Sequence, residues 1–454
     1  MTDMPESLSP APQDAPETAP PPTHPRTAIV VGGGLVGLCC ARALRAAGLD
    51  VTLVSEPRYT PPASSGNAGH IAIEQVIPLA SPAALASAPG RLFLRGGALD
   101  FGWTRPGSWV PWLRHYLQAC SPARAQAGQE ALRGLLAEAM PAWRRMTAEL
   151  GRPELLDEAG HLMFWHDSRR AEPGMAHWLA ADTGTATVRR LDADEFPDLD
   201  GVLAHRPCGA LKLEGTGRVT VSPGTMMNIL SDTLYGAQVR RVAARAVRLA
   251  RDDAGTAVHL TDGQVLVADR VVIATGVGTK ALLRTAGLSA PVVAERGYHI
   301  EWDHGGLPAL PPMVFEERSM IVSRFGARLR TSSFIEFTAP DAPPDPRKWR
   351  YLEENVRDLG LPVASGFSHW MGSRPTLPDY LPAIGPLPGL PGAIAAYGHQ
   401  HLGLTLAPLT AELVRALATD TAPPIALTPF RPERFSRTRP VQPLQPALAQ
   451  PTPT

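Results

Sequence analysis

Residues 27–37 read TAIVVGGGLVG, and this stretch decides the fold. Its β-branched first half predicts a short strand buried on both faces. The strand leads into three glycines with the spacing G-x-G-x-x-G, at Gly32, Gly34 and Gly37. Helix-forming residues continue as far as Gly48, and the apolar run 50–54 predicts the next strand. The order strand, glycine turn, helix and strand predicts the βαβ unit of a Rossmann-like dinucleotide-binding domain.

The three glycines have separate physical roles in such a unit. The first permits the tight turn, the second lets the backbone approach a diphosphate, and the third lets the helix pack close to the strand. The diphosphate binds the free amides and the positive end of the helix, so Leu35 and Val36 join the glycines as predicted cofactor-binding residues. The alternative is a strand-to-helix turn that binds no ligand.

The end of the second strand departs from the usual pattern. An acidic residue normally stands there and binds the ribose hydroxyls. In this chain the position is taken by Ser55, and Glu56 follows it. We expect Ser55 or Glu56 to bind the ribose, the alternative being that Glu56 is a solvated charge.

Composition excludes several classes of function. A chain of 454 residues favours a two-domain enzyme. Lys plus Arg and Asp plus Glu both number 43, so no net charge attracts nucleic acid. The four cysteines, Cys39, Cys40, Cys120 and Cys208, lack metal-ligand spacing, and they favour a reducing, cytoplasmic compartment. No HExxH or other metal cluster is visible, so we expect no metal site.

Membrane association is expected to be peripheral if it occurs at all. No apolar run is long enough to cross a bilayer, and the N-terminus lacks the charged-then-apolar order of a signal peptide. The aromatic helical stretch Trp109–Leu117 predicts core packing, as does Trp143 further on. Contact of Trp109–Leu117 with the inner face of a membrane is the alternative.

Three later stretches carry small residues suited to a large planar ring. They are the loop 63–70 (ASSGNAGH), the end of a buried strand at 274–276 (ATG), and a strand, glycine turn and helix start over 392–408. Bulky side chains at these places would collide with a bound ring. The predicted cofactor-binding residues of these and neighbouring segments are Ser65, Asn67, Ala68, Gly69, His70, Val242, Ala274, Thr275, Gly276, Gly372, Gly398, Gly403, Leu404 and Thr405.

A further stretch carries a more specific resemblance. Residues 370–385 read WMGSRPTLPDYLPAIG. Together with the glycine turn, the loop 63–70 and the Gly398–His399 turn, it resembles the D-amino-acid oxidase and dehydrogenase superfamily of FAD enzymes. The similarity is closest to the small subunit of bacterial D-amino-acid dehydrogenase, with glycine oxidase and sarcosine oxidase as relatives, and extends from Thr27 to about Thr419. It implies FAD rather than NAD as the cofactor.

The resemblance implies an α/β fold in which a Rossmann-like FAD-binding domain carries an inserted, mostly antiparallel α+β substrate domain. We assign the FAD-binding domain to 27–77, 206–290 and 365–425, and the substrate domain to 78–205 and 291–364. The Pro-rich ends, 1–26 and 435–454, have no apolar periodicity and are expected to be disordered.

Arg374, within the Gly-x-Arg-Pro part of residues 370–385, is the predicted substrate clamp. A guanidinium binds a carboxylate through two parallel hydrogen bonds, and the resemblance implies this role. An internal ion pair is the alternative. His401 and Tyr298 are further pocket candidates, with core packing as an equal alternative for each. Met320 stands where glycine oxidase has a substrate-binding tyrosine, which implies a more apolar pocket for a substrate bulkier than glycine.

These residues predict the oxidative deamination of a D-amino acid. Hydride passes from Cα to flavin N5, and the imino acid hydrolyses to a 2-oxo acid and ammonia, so positioning matters more than a protein acid. The alternatives are a secondary or cyclic amine, such as sarcosine, D-proline or D-hydroxyproline, and a flavin-binding module without turnover. The sequence leaves open whether oxygen or a quinone-linked partner accepts the electrons, and the oligomeric state.

Overall fold

The computed structural model describes residues 26–57, 62–191, 202–307 and 310–435. Nearly all of the two predicted disordered ends therefore lies outside the described residues. The strands of the described ranges are β1 (Thr27–Val31), β2 (Asp50–Val54), β3 (His70–Ile71), β4 (Leu99–Phe101), β5 (Leu156–Asp157), β6 (His161–Trp165), β7 (Thr187–Arg190), β8 (Gly209–Glu214), β9 (Gly217–Val219), β10 (Arg240–Val242), β11 (Ala246–Asp252), β12 (Gly255–Leu260), β13 (Val265–Ala268), β14 (Arg270–Ile273), β15 (Val293–Asp303), β16 (Met313–Phe315), β17 (Met320–Phe325), β18 (Arg328–Phe337), β19 (Ser368–Thr376), β20 (Ala383–Pro386) and β21 (Ala393–Tyr397).

The α-helices of the same ranges vary from short surface turns to the long helices that cover the sheets. They are α1 (Leu35–Ala46), α2 (Pro82–Ser87), α3 (Val110–Ala119), α4 (Pro122–Ala137), α5 (Ala139–Glu149), α6 (Ser168–Ala180), α7 (Pro223–Gly236), α8 (Thr279–Arg284), α9 (Pro346–Asp358) and α10 (Gly403–Ala418). Ser222 caps the N-terminus of α7, because its side chain accepts a hydrogen bond from the Thr225 amide.

A six-stranded sheet contains the glycine turn. Its order is β10-β2-β1-β14-β21-β20, with the first five strands parallel and β20 antiparallel at the edge. Helices α1, α7 and α10 pack in one apolar core with this sheet. Because parallel strands need both faces covered, the continuous apolar runs read from β1 and β14 fit this position.

The second large sheet is mostly antiparallel. Its path is β19-β15-β18-β17-β16-β6-β8-β7, and β4 pairs with β18 off this path. Only the β16–β6 and β4–β18 pairs are parallel among its described strands. Two three-stranded sheets, β11-β12-β13 and β3-β9-β5, complete the described sheets. The predicted fold class, a Rossmann-like domain combined with a mostly antiparallel α+β part, is confirmed.

The division of strands between the two large sheets differs from the assigned ranges at two places. β8 lies within 206–290 and β19 within 365–425, yet both pair into the second sheet. β19 contains the Gly-x-Arg-Pro segment, which the sequence placed with the cofactor domain because of its neighbours in the chain. Its long antiparallel pairing with β15 outweighs that proximity and carries Arg374 to the second sheet.

The aromatic helices pack as core elements. Trp109, Trp112 and Trp143 are 5%, 4% and 0% exposed, respectively, which is the core packing that the sequence predicts. Among the described helices, none combines the length and the apolar character needed to cross a membrane.

Candidate active site

A cavity of about 1020 Å³ is lined by residues of both large sheets. This is at the upper end of the roughly 300–1,000 Å³ typical of small-molecule sites. On one side it reaches the glycine turn after β1, and on the other it reaches β15, β17 and β19. A ligand that fills it therefore contacts both sheets.

The N-terminus of α1 opens onto this cavity, and its first amide, that of Leu35, donates a hydrogen bond of 3.3 Å to Ser64 Oγ. Gly34 is its N-cap, and the first turn holds no acidic side chain. A β-carbon built on Gly34 would meet only Ser64 Oγ, at 3.6 Å, whereas one built on Gly37 would lie 1.9 Å from the Gly32 carbonyl oxygen. Gly34 thus leaves open space over the start of the helix, while Gly37, which is not in the cavity lining, packs the helix on the strand. This cradle fits a dinucleotide diphosphate.

The loop 63–70 is held from the second sheet. Arg330 of β18 donates hydrogen bonds to the carbonyl oxygens of Ser65 and Asn67, and the His299 ring binds the Gly66 carbonyl oxygen at 3.0 Å. Asn67, Ala68 and His70 line the cavity. The predicted Ser65 and Gly69 do not. The Ser65 hydroxyl donates to the Pro62 carbonyl, and a β-carbon on Gly69 would strike Phe325.

Most of the other predicted cofactor residues line the cavity. These are Gly32, Gly34, Leu35, Val36, Ser55, Glu56, Ala274, Thr275, Gly276, Gly372, Gly403 and Leu404. Glu56 Oε1 lies 3.9 Å from Arg245 Nε, and both side chains are partly exposed. A solvated ion pair with Arg245 is thus present beside the expected ribose position.

Besides Gly37, Ser65 and Gly69, three more predicted residues lie outside the lining. Val242 is used in the pairing of β10 with β2. Gly398 adopts a φ of 81° and packs against Leu377. The Thr405 hydroxyl accepts a hydrogen bond from the Ala72 amide at 3.0 Å. For these positions the sequence correctly identified turns and strand ends, but the side chains or backbones serve packing.

Arg374 forms the internal ion pair that the sequence gave as the alternative, and it also lines the cavity. Its Nη1 lies 3.1 Å from Glu295 Oε1 and 2.9 Å from the Phe334 carbonyl oxygen. Glu295 is fully buried, and its other oxygen accepts hydrogen bonds from Thr376 and Tyr380. Arg374 nevertheless lines the cavity, with 24% of its side chain exposed. The internal ion pair therefore orients a guanidinium that still faces the cavity.

Tyr298 lines the cavity wall, but its hydroxyl belongs to a buried polar network. The hydroxyl donates to Glu336 Oε2 at 2.9 Å and accepts from the Asp345 amide at 3.1 Å. Arg296 and Lys348 complete this network around Glu336. The expectation that the Tyr298 hydroxyl faces the pocket is wrong, because the hydroxyl donates to Glu336 and accepts from the Asp345 amide instead.

His401 and Met320 both line the cavity. Burial lowers the pKa of His401 from 6.5 to about 4, so the ring is neutral at physiological pH. Its Nε2 lies 2.6 Å from Gln75 Oε1. Since an amide oxygen only accepts, Nε2 carries the proton and Nδ1 is left as an acceptor. Met320, which is 2% exposed, begins β17 and gives the wall an apolar surface.

The comparison with known families decides the class of protein. Residues 27–417 match the family described as FAD dependent oxidoreductase (DAO). The chain belongs to this FAD dependent oxidoreductase family. FAD is the cofactor of this family, and the resemblance found in residues 370–385 is confirmed.

Individual relatives in this family cover nearly the whole chain. A D-amino-acid oxidase of Bradyrhizobium diazoefficiens is 29% identical over 418 residues, which cover 90% of this chain and 99% of the relative. D-amino acid dehydrogenase 2 of Ralstonia nicotianae is 29% identical over 439 residues, covering 88% and 98%. The crystal structure of glycine oxidase from Geobacillus kaustophilus superposes with a TM-score of 0.67 at 20% identity, covering 92% of this chain and 100% of that one, which shows the shared fold.

This FAD dependent oxidoreductase also brings His70, which was predicted to bind the cofactor, together with two polar residues that the sequence did not indicate. His70, Glu74 and His161 lie with their ligand atoms within 4.8 Å of one another, and all three line the cavity. Burial alone would raise the pKa of Glu74, but His70 and His161 lower it to about 2. Burial lowers the pKa of His161 to about 3. The expectation that the chain holds no metal-like cluster is at odds with this arrangement.

The sequence did not indicate several residues of this site, and the reason is simple. His161 and Glu295 are distant in sequence from the motifs. Strand pairing brings His161 to the cavity and Glu295 to Arg374. Glu74 and Gln75 follow the loop 63–70 closely, and the spacing of four residues between His70 and Glu74 is a signal that could have indicated Glu74. Trp370, whose ring contacts Gly66 and Gly372 closely, begins the stretch 370–385 but was assigned no role.

Proposed function

We propose that this FAD dependent oxidoreductase oxidises a D-amino acid to an imino acid, which water converts to a 2-oxo acid and ammonia. The observation that carries the proposal is the position of Arg374 on the wall of the cavity that also holds the glycine cradle. The names of the relatives from Bradyrhizobium and Ralstonia support the same class of substrate.

The clamp has donors left for a substrate. Both hydrogen bonds of Arg374 use Nη1, and within the described residues neither Nε nor Nη2 has a protein partner. Nη2 lies over Gly297, which also lines the cavity. A substrate carboxylate there accepts charge-assisted hydrogen bonds from the guanidinium, which orients Cα in the cavity.

The amine of the substrate is proposed to face the part of the cavity wall that holds His401, which offers no strong proton donor. His401 is neutral, and its Nδ1 is an acceptor. A neutral acceptor suits the N–H groups of an amine that has lost its extra proton, the form whose lone pair supports oxidation at Cα. Met320 and Met163 supply apolar surface for the substrate side chain.

The residues proposed to hold the cofactor belong to the glycine turn at the start of α1, to the end of β2 and to the loop 63–70. Gly34 and Val36 present amides to a diphosphate, and the Leu35 amide, which lines the same space, donates to Ser64 Oγ. Ser55 or Glu56 lies where the ribose is expected, and Asn67 and Ala68 border the ring space. The bound flavin supplies a two-electron acceptor for the hydride from Cα. Oxygen or a quinone-linked partner would accept the two electrons.

Anaerobic bleaching of the purified yellow protein tests the proposal. D-amino acids of increasing side-chain size, N-methyl amino acids and cyclic imino acids are mixed with the protein, and the loss of flavin absorbance is followed. We expect bleaching with D-amino acids bulkier than glycine. Preferred bleaching with N-methyl or cyclic substrates would replace the D-amino acid by those amines, and a protein that no amine bleaches would contradict an oxidase or dehydrogenase role.

Arg374→Leu provides the test of the clamp. The variant is expected to keep its flavin but to lose about 10–100-fold in kcat/KM, because a charged hydrogen bond contributes roughly 1.5–3 kcal/mol. The matched control is Arg328→Leu, which removes a half-exposed arginine of β18 outside the cavity lining. Equal kinetics in the two variants would remove Arg374 from the site.

A further inference from the structure

A second polar cluster shares the cavity with Arg374. It consists of His70 in β3, Glu74 four residues later, and His161 at the start of β6. The side chains of His70 and Glu74 are 8% and 3% exposed, and His161 is 1% exposed. Three ligand-type groups are therefore buried together, and nothing in the proposed oxidation uses them.

The hydrogen bonds around the two rings fix which nitrogens are free. His70 Nδ1 lies 3.2 Å from the Gly217 carbonyl oxygen, which only accepts, so Nδ1 donates. His161 Nδ1 lies 2.9 Å from Thr216 Oγ1, and that hydroxyl is itself positioned to donate to the Leu213 carbonyl oxygen. In the neutral rings both Nε2 atoms consequently carry lone pairs.

These lone pairs and the carboxylate face one another. His70 Nε2 lies 3.3 Å from Glu74 Oε1, and the His70 and His161 ring centroids are 4.4 Å apart. Two acceptors at such a distance repel unless a cation lies between them. Glu74 Oε2, moreover, is buried and has no hydrogen-bond partner among the described residues. An unsatisfied buried carboxylate oxygen is costly and calls for an additional positive partner.

We propose that His70, Glu74 and His161 bind a divalent transition-metal ion of the Zn²⁺ class. Two imidazoles and one carboxylate suit zinc and its neighbours rather than Mg²⁺ or Ca²⁺, which prefer oxygen ligands. Tetrahedral bonds of about 2.0–2.1 Å place neighbouring ligand atoms roughly 3.3–3.4 Å apart, and the His70–Glu74 separation matches such an edge. The Nδ1 hydrogen bonds to a carbonyl and a hydroxyl are those that orient metal-binding histidines.

The site would retain an open coordination position. Three protein ligands leave at least one position of a tetrahedral ion vacant, and all three residues line the cavity. That position takes water or an oxygen or nitrogen donor of a molecule in the cavity. The inference stands apart from the identity of the oxidised substrate, since it depends only on the geometry of the cluster.

Metal binding is tested on the flavin-loaded full chain, purified without chelators or an affinity tag, in a Cys208→Ser background because that thiol is exposed. Zinc content is measured by inductively coupled plasma mass spectrometry. Co²⁺ is then titrated into the metal-stripped protein, and its d–d absorption is read at wavelengths beyond the flavin bands. We expect stoichiometric zinc or saturable Co²⁺ binding with a tetrahedral spectrum.

Two variants and one control assign the ligands. Glu74→Gln keeps the shape of the side chain and should abolish the Co²⁺ spectrum. Thr216→Val removes the partner of His161 Nδ1 and should weaken Co²⁺ binding about 10–100-fold. His369→Gln disrupts an exposed pair with Glu353 and should change nothing. Flavin content and circular dichroism verify that each variant is folded.

Several results would overturn the metal site. Equal Co²⁺ affinity in the Glu74→Gln, Thr216→Val and His369→Gln variants would exclude these ligands. If no metal bound and the ¹⁵N chemical shifts showed a doubly protonated His70, the positive charge in the cluster would be a proton that His70 shares with Glu74. If an amine substrate bound to the cluster and Co²⁺ did not, the cluster would be assigned to recognition of the substrate ammonium group. None of these outcomes affects whether D-amino acids bleach the flavin.

Discussion

Gly297 approaches the Arg374 guanidinium so closely that a β-carbon on Gly297 would lie 2.2 Å from Nη2. The guanidinium is held on its other side by Glu295 and the Phe334 carbonyl oxygen. The orientation of the guanidinium in the cavity therefore depends on the absence of a side chain at Gly297 as much as on the ion pair with Glu295, and this dependence can be measured.

Gly297→Ala is expected to displace the guanidinium without unfolding the protein, because the clashing atom is the end of a flexible side chain. The KM for the amino acid should rise about tenfold, as for the loss of roughly 1.4 kcal/mol of carboxylate binding, while flavin content stays constant. Steady-state kinetics measure the effect. Gly366→Ala is the control, since its added β-carbon meets nothing within 4 Å. An unchanged KM in Gly297→Ala would show that Nη2 does not bind substrate.

Glu295→Gln should destabilise the protein and make it depend on carboxylate ligands. Removing one partner of a buried pair costs about 3–5 kcal/mol, with the lower end expected because Arg374 is partly exposed. A carboxylate in the cavity supplies the missing negative charge, so its stabilising effect on Tm should be larger in the variant than in the wild type. Thermal unfolding with and without a non-oxidisable carboxylic acid measures both. Glu149→Gln, at a surface ion pair with Arg42, should show neither effect.

Gly34→Ala and Gly37→Ala should separate cofactor binding from folding. A β-carbon at Gly34 makes only an ordinary contact with Ser64 but projects over the amides of the cradle, so the protein should fold with weakened FAD affinity. At Gly37 it would collide with the Gly32 backbone at 1.9 Å, so helix and strand could not pack. Flavin absorbance and circular dichroism distinguish the two. A Gly34→Ala protein that retains FAD as tightly as the wild type would contradict the proposed diphosphate position.

Acid should destabilise the fold through buried histidines. Burial lowers the pKa of His399 from 6.5 to about 4, so the unfolded chain takes up a proton before the folded protein does. The stabilisation is complete above pH 6.5, declines as the pH falls toward 4, and is constant below that. The slope is at most about 1.4 kcal/mol per pH unit.

Urea unfolding across this pH interval checks the effect. His399→Gln should show a shallower decline in the free energy of unfolding than the wild type, and His115→Gln, an exposed position, should match the wild type. Parallel curves for His399→Gln and the wild type would mean that His399 takes up a proton equally in both states.

The sequence was informative where local chemistry determines structure. The glycine turn, the start of α1 and the Ser222 cap of α7 depend on residues a few positions apart, and all could be read from their spacing. The apolar runs of β1 and β14 likewise predicted their burial in the parallel sheet. Local motifs thus predicted the cofactor cradle and the fold class.

Long-range strand pairing defeated the remaining predictions. Tyr298 was expected to offer its hydroxyl to the pocket, but the pairing of β15 with β18 places it beside Glu336. Glu295 reaches Arg374 because β15 also pairs with β19. Which polar side chains meet across neighbouring strands depends on register, and no local motif in these strands reveals that register.

The order in which the parallel sheet is completed has a consequence for synthesis of the chain. β1 lies between β2, which follows it closely, and β14, which emerges from the ribosome more than two hundred residues later. The apolar face of α1 is covered by α10, which is made later still. A nascent chain therefore exposes this helix until translation is almost finished. We expect cofactor loading to follow release from the ribosome, and C-terminally shortened chains that lack α10 to be insoluble.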